Sequence, residues 1–169
     1  MARISNTTLS RNTAHFGGGG IYNGGNMTIN GSTVLGNNAF LGAGLDNVGT
    51  LAINNSTVGV NTGYQGGGLS NAGSVAISNS TISQNTGVKG GGIDNGAHAK
   101  LQNSIVSNNN GGNCSRFGIT SKGYNLSSDA TCNLTNTGDL NNTDPMLGPL
   151  QINGGPTQTM AFTVWQSCC

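Results

Sequence analysis

The stretch FLGAGLDNVGTLAINNSTVGVNTG, residues 40–63, runs without a gap into YQGGGLSNAGSVAISNSTISQNTG, residues 64–87. These are two copies of one 24-residue unit, which also fills residues 16–39 and 88–111. A partial copy precedes them: Ile4, Leu9 and Asn12 match Ile29, Val34 and Asn37, with one extra residue near His15. A fixed period of this size marks a stack of units, because one unit alone has too little apolar surface to bury.

Four apolar offsets recur in every copy. They are Ile21, Met27, Ile29 and Val34, then Leu45, Leu51, Ile53 and Val58, then Leu69, Val75, Ile77 and Ile82, then Ile93, Ala99, Leu101 and Val106. Leu51 and Ile53 flank Ala52 with the period of two that belongs to a strand. Asn, Gly and Ser clusters separate such segments, and the glycine density excludes helix. The predicted fold is all-β: a parallel β-helix (β-solenoid) of 24-residue coils with three short strands each. Its coils are a partial one at 1–15 and full ones at 16–39, 40–63, 64–87 and 88–111. Equivalent strands then lie about 4.8 Å apart along the axis, so equal offsets stack into files. Asn12, Asn37, Asn61, Asn85 and Asn109 form one file and Asn23, Asn47, Asn71 and Asn95 another, each suited to an amide ladder. Gly20, Gly44, Gly68 and Gly92 read as tight corners at positive φ.

The composition narrows the function. Of 169 residues, 7% are charged and the net charge is +1, with no Glu and only scattered Lys and Arg, so no nucleic-acid surface is expected. No apolar run approaches the roughly 18 residues of a membrane span. The opening MARISNTTLS lacks the apolar core of a signal peptide and enters the repeat part-way through a coil, which reads as a fragment. Ile4, Leu9 and an unpaired strand edge are then exposed, and end-to-end dimers through residues 1–20 are expected.

The period breaks after Gly111, and residues 112–162 read as an irregular C-terminal segment. Cys114 and Cys132 enclose 17 residues, a spacing suited to a loop-closing disulfide worth about 3 kcal/mol, with two free thiols as the alternative. The repeats, together with GYNL at 123–126, NTDPMLGPL at 142–150 and NGGPTQT at 153–159, resemble bacterial parallel β-helix proteins with a choice-of-anchor Q domain. The resemblance runs from Ile4 to about Phe162. It implies a right-handed helix, export and display at the cell surface, with pectate-lyase-like and adhesin-like architectures as relatives. The last residues depart from that family: after TMAF the chain ends VWQSCC, which reads as a truncation or an altered frame. The adjacent Cys168 and Cys169 read as adventitious.

Chemical motifs are few. The glycine runs lack the Gly-Lys-Ser/Thr closure of a phosphate loop or the helix of a dinucleotide site. GGGID at 90–94 does not match a calcium nonapeptide, and no His or Cys sits at zinc spacing, so neither metal nor cofactor is expected. No Ser lies in a nucleophile elbow. Thr8, Thr33, Thr57 and Thr81 make one outward file ending at Ile105, a weak match to a two-file ice lattice. His15 and His98 read as surface residues. The most informative pair is Asp46 and Asp94, at one offset two coils apart, in the outward file Tyr22–Asp46–Ser70–Asp94. Their backbones are expected about 9–10 Å apart, near the 6.5–9.5 Å of inverting glycosidases. On a flat, open face both carboxyls would titrate normally. Asp46 and Asp94 are thus the candidate catalytic pair, with Tyr22, Tyr64 and Lys89 as candidate ligand-binding residues. The expected role is a non-catalytic surface module, a rigid stalk or a glycan-binding and adhesion segment with polysaccharide as partner. The alternative is a glycoside hydrolase or polysaccharide lyase.

Overall fold

The computed structural model describes residues 1–163, and over them the chain winds into a parallel β-solenoid with no helix. There is accordingly no helix long and apolar enough to cross a membrane among the described residues. The first face stacks Ala2–Ser5, Asn26–Asn30, Thr50–Asn54, Ser74–Ser78, His98–Gln102 and Thr120–Ser121. The second stacks Thr8–Ser10, Thr33–Leu35, Thr57–Gly59, Thr81–Ser83, Ile105–Ser107 and Leu126–Ser127. The third stacks Ile21–Asn23, Leu45–Asn47, Leu69–Asn71, Ile93–Asn95 and Cys114–Arg116. In the first two full coils a short fourth strand is added, where Asn38–Leu41 pairs with Thr62–Gln65.

The register follows the repeat: Ile53 lies between Ile29 and Ile77, and Leu69 between Leu45 and Ile93. In the partial coil Thr8 pairs with Thr33 and Thr13 with Asn38, but Gly17 with Leu41. The surplus residue is therefore absorbed between Thr13 and Gly17, where His15 sits. The four apolar files form one continuous core from Ile4 and Leu9 to Cys114.

Inside the coils the amide files are hydrogen-bonded ladders. Asn61 Nδ2 donates to Asn85 Oδ1 at 2.9 Å, and Asn47 Nδ2 to Asn71 Oδ1 at 2.7 Å. A third ladder was not read from the sequence. Ser32, Ser56, Ser80 and Ser104 are buried, each accepting a backbone N–H from the coil before while its hydroxyl donates to the carbonyl two residues back. The corner glycines also work differently from expectation. Positive φ falls on Gly18, Gly42, Gly66 and Gly90, not on Gly20, Gly44, Gly68 and Gly92. The latter file needs glycine because adjoining coils pass so closely: a Cβ on Gly44 would lie 2.5 Å from the Gly68 carbonyl oxygen.

Beyond Gly111 the 24-residue spacing is lost, yet the stack continues for one shorter coil. Cys114 lands on Ile93, Thr120 on Lys100 and Leu126 on Ile105, and Leu140 then bridges to Leu126. Only the short strands must fall over their predecessors, so the corners between them can lose residues. A Cys114–Cys132 disulfide closes this end. The antiparallel hairpin Leu147–Gln151/Thr159–Phe162 then reaches back to the second face. Thr33 Oγ1 donates to the Gln158 carbonyl at 2.7 Å and Thr157 Oγ1 to the Gly31 carbonyl at 3.1 Å. Thr33 is consequently buried, Thr57 beside it is buried too, and the threonine file is not an open lattice. Cys168 and Cys169 lie outside the described residues.

Candidate functional site: an acid-floored groove on the third face

Inward Leu45, Leu69 and Ile93 aim their sequence neighbours outward, so Tyr22, Asp46, Ser70 and Asp94 stand in register, with Ser115 next along the file. Two strand spacings separate the backbones of Asp46 and Asp94, about 9–10 Å. The file is not on a flat face. Asp46 is only 6% exposed and Asp94 2%, which corrects the solvated surface expected from the repeat. The cause is the glycine corner, which brings the file Gly17, Leu41, Gln65, Lys89 alongside the third face.

Between these files runs a groove of ≈ 490 Å³. Asp46, Ser70 and Asp94 floor it. Gly17, Leu41 and Gln65 line one side, and Val48, Asn71 and Ala72 the other. Phe16 and Tyr22 contribute to its lining at the coil before Asp46, and Arg116 at the coil after Asp94.

The two carboxylates differ in their surroundings. Asp94 Oδ1 accepts the Ser115 hydroxyl at 2.6 Å and is 3.0 Å from Arg116 Nε. Asp46 has no cation within ion-pair distance among the described residues. Its side chain presses against Gly17, where a Cβ would collide with Oδ2. Burial pushes the Asp46 carboxyl above its ordinary value, and the Ser70 hydroxyl from the next coil partly offsets this.

The structure thus brings Tyr22, Asp46 and Asp94 together, but not the other two candidates. Tyr64 belongs to an aromatic ridge that meets the groove at Phe16: it stacks on Phe40 at 4.9 Å, and Phe40 on Phe16 at 6.4 Å. That ridge borders a shallower hollow of ≈ 400 Å³ shared with Thr13, His15, Asn38 and Thr62. Lys89 is exposed one coil beyond Gln65, and it does not line the groove. His98 is exposed on the first face. Gln65 was findable, since it follows Tyr64 at a repeated offset. Arg116 was not, because it sits in the shortened coil and has no partner at 24-residue spacing.

Among the described residues no three His, Cys, Asp or Glu side chains are placed to hold a metal ion. The arrangement can hydrogen-bond a polyhydroxylated ligand along its floor and pack apolar atoms against Leu41, Val48 and the rings of Phe16 and Tyr22. No family model, curated protein or solved structure matches this chain.

Proposed function

We propose that this β-solenoid is a non-catalytic glycan-binding module of an exported, surface-displayed bacterial protein, of the kind that carries a choice-of-anchor Q domain. The observation that carries the binding role is the groove itself. Carboxylate, hydroxyl and carboxylate follow one another at single strand spacings along its floor, with Tyr22 next in the same file. Hydroxyl-rich ligands need many acceptors and donors with an apolar surface nearby, and this groove offers both. The disulfide accords with an oxidising compartment outside the cell. Among the described residues Ala2–Ser5 and Thr8–Ser10 end their sheets, which accords with end-to-end association.

A second reading, glycoside hydrolysis, draws on one feature: Asp46 is a carboxyl whose pKa is raised by burial, as a general acid requires. It is the weaker reading, because Asp94 would have to act as the base while its Oδ1 is already engaged by Arg116 and Ser115. A glycan array followed by reducing-end assays on every bound polysaccharide separates the two. Binding without turnover supports the module. Turnover abolished by Asp46→Asn and by Asp94→Asn would replace it with the hydrolase, and no binding anywhere would remove the glycan role.

A further inference from the structure

We propose that the Asp46 end of the groove receives a ligand ammonium group, so that the preferred glycan is a basic amino sugar rather than a neutral or uronic one. This rests on the glycan-binding reading above and names the ligand class for that same groove. The molecule contains its own control. Asp46 and Asp94 share one file two coils apart, and both are more than nine-tenths buried. Asp94 has a cation of its own, Arg116 Nε at 3.0 Å, and the Ser115 hydroxyl at 2.6 Å. Asp46 faces the same groove with no cation among the described residues. A buried carboxylate without an opposite charge is costly, and a partner entering from outside relieves that cost.

The space for such a partner is the groove of ≈ 490 Å³ that Asp46 lines. Gly17, which heads the file continued by Leu41, Gln65 and Lys89, leaves room for the Asp46 carboxylate itself, since a Cβ there would collide with Oδ2. The one lysine of that file is two coils from Leu41, the residue level with Asp46, and it lies outside the groove. Phe16 and Tyr22 line the same part of the groove, and aromatic rings attract a nearby cation. The ionised groups of the groove are two carboxylates and one guanidinium, so a uronate is repelled and an ammonium attracted.

The test uses the full chain and isothermal titration calorimetry at low ionic strength. The probes are β-1,4-linked oligomers of glucosamine, N-acetylglucosamine and glucose, with oligogalacturonate added, at a pH where amine and Asp46 are both ionised. We expect glucosamine oligomers to bind at least tenfold more tightly than the N-acetylated and neutral ones, and oligogalacturonate to bind least. Asp46→Asn should erase the tenfold preference, leave weak binding to the neutral oligomers, and keep or raise the melting temperature, since it removes a buried unpaired charge. Asp144→Asn, which removes an exposed carboxylate remote from the groove lining, should leave the preference intact. Equal affinities for amino and N-acetyl forms would overturn the proposal, as would a preference that survives Asp46→Asn or falls equally with Asp144→Asn. In those cases glycan binding would still stand. If none of the oligomers binds, this proposal falls, whereas the glycan reading falls only if the glycan array also shows no binding.

Discussion

The coils of residues 16–111 and the shortened turn that follows them are stacked on one axis, but different groups satisfy their buried backbone. In the coils the work is done by neutral side chains repeated at one offset. Asn61 accepts from the Asn37 backbone N–H and side chain, and donates to Asn85 Oδ1 and the Val34 carbonyl. Past Gly111 the ladder passes to Asn113, whose amide donates to Ser127 and Ser128, and carboxylates take over. Asp129 accepts from the backbone of Asn113 and Thr131, and Asp139 from the backbone of Asn125 and Asn136. A periodic region satisfies itself from the next copy; where the period ends, a charged acceptor and a disulfide replace the missing neighbour.

The largest effect should come from breaking a ladder in mid-stack. Asn61→Ala strips partners from Asn37 and from the Val34 carbonyl, all buried, and should cost about 3–5 kcal/mol in chemical denaturation. The same change at Asn12, at the exposed start of the file, should cost far less. Removing the disulfide by Cys132→Ser should cost about 3 kcal/mol. Hydrogen exchange in Cys114–Arg116 should rise before that in Leu69–Asn71. A result in which both strands loosen together would mean that the two regions unfold as one unit.

Acid should sharpen the contrast. Burial pushes the Asp129 and Asp139 carboxyls up, but the hydrogen bonds they accept outweigh it and leave both below their ordinary value. Their contribution to stability is therefore complete above the usual carboxylate range, near 3.8, and is lost as pH falls through the lowered values. Asp46 has the opposite sign: its pKa is raised, so protonation begins at higher pH and favours the folded state. Melting curves should hold or rise slightly on mild acidification, then fall steeply below about pH 3.8. In Asp129→Asn, which should cost about 2 kcal/mol at neutral pH, that steep fall should shrink.

The smallest prediction concerns a flaw in the periodic region. Val60 is held at φ 58° in a file whose other members are Arg11, Gly36, Gln84 and Asn108. A β-branched residue is strained there. Val60→Asn should stabilise the protein by about 1 kcal/mol in thermal melts, and a destabilised variant would show that its exposed side chain contributes more than its backbone costs.

The sequence by itself determined the coil. Four apolar offsets and two Asn offsets repeating every 24 residues leave only one way to bury the first and pair the second, and the files from Ile29 to Leu101 and from Asn37 to Asn109 lie where the repeat places them. It also located the carboxylate file, because register is a property of the repeat. Tertiary structure alone decided what surrounds that file. The groove exists because glycine corners draw a second file alongside Asp46 and Asp94, and Arg116 reaches Asp94 from a coil that obeys no period. Thr33, in the middle of the threonine file, is covered because a hairpin some 125 residues away folds back onto it. Periodicity specifies neighbours one coil apart; burial and charge at a surface depend on chain that arrives from elsewhere, and no local pattern encodes that arrival.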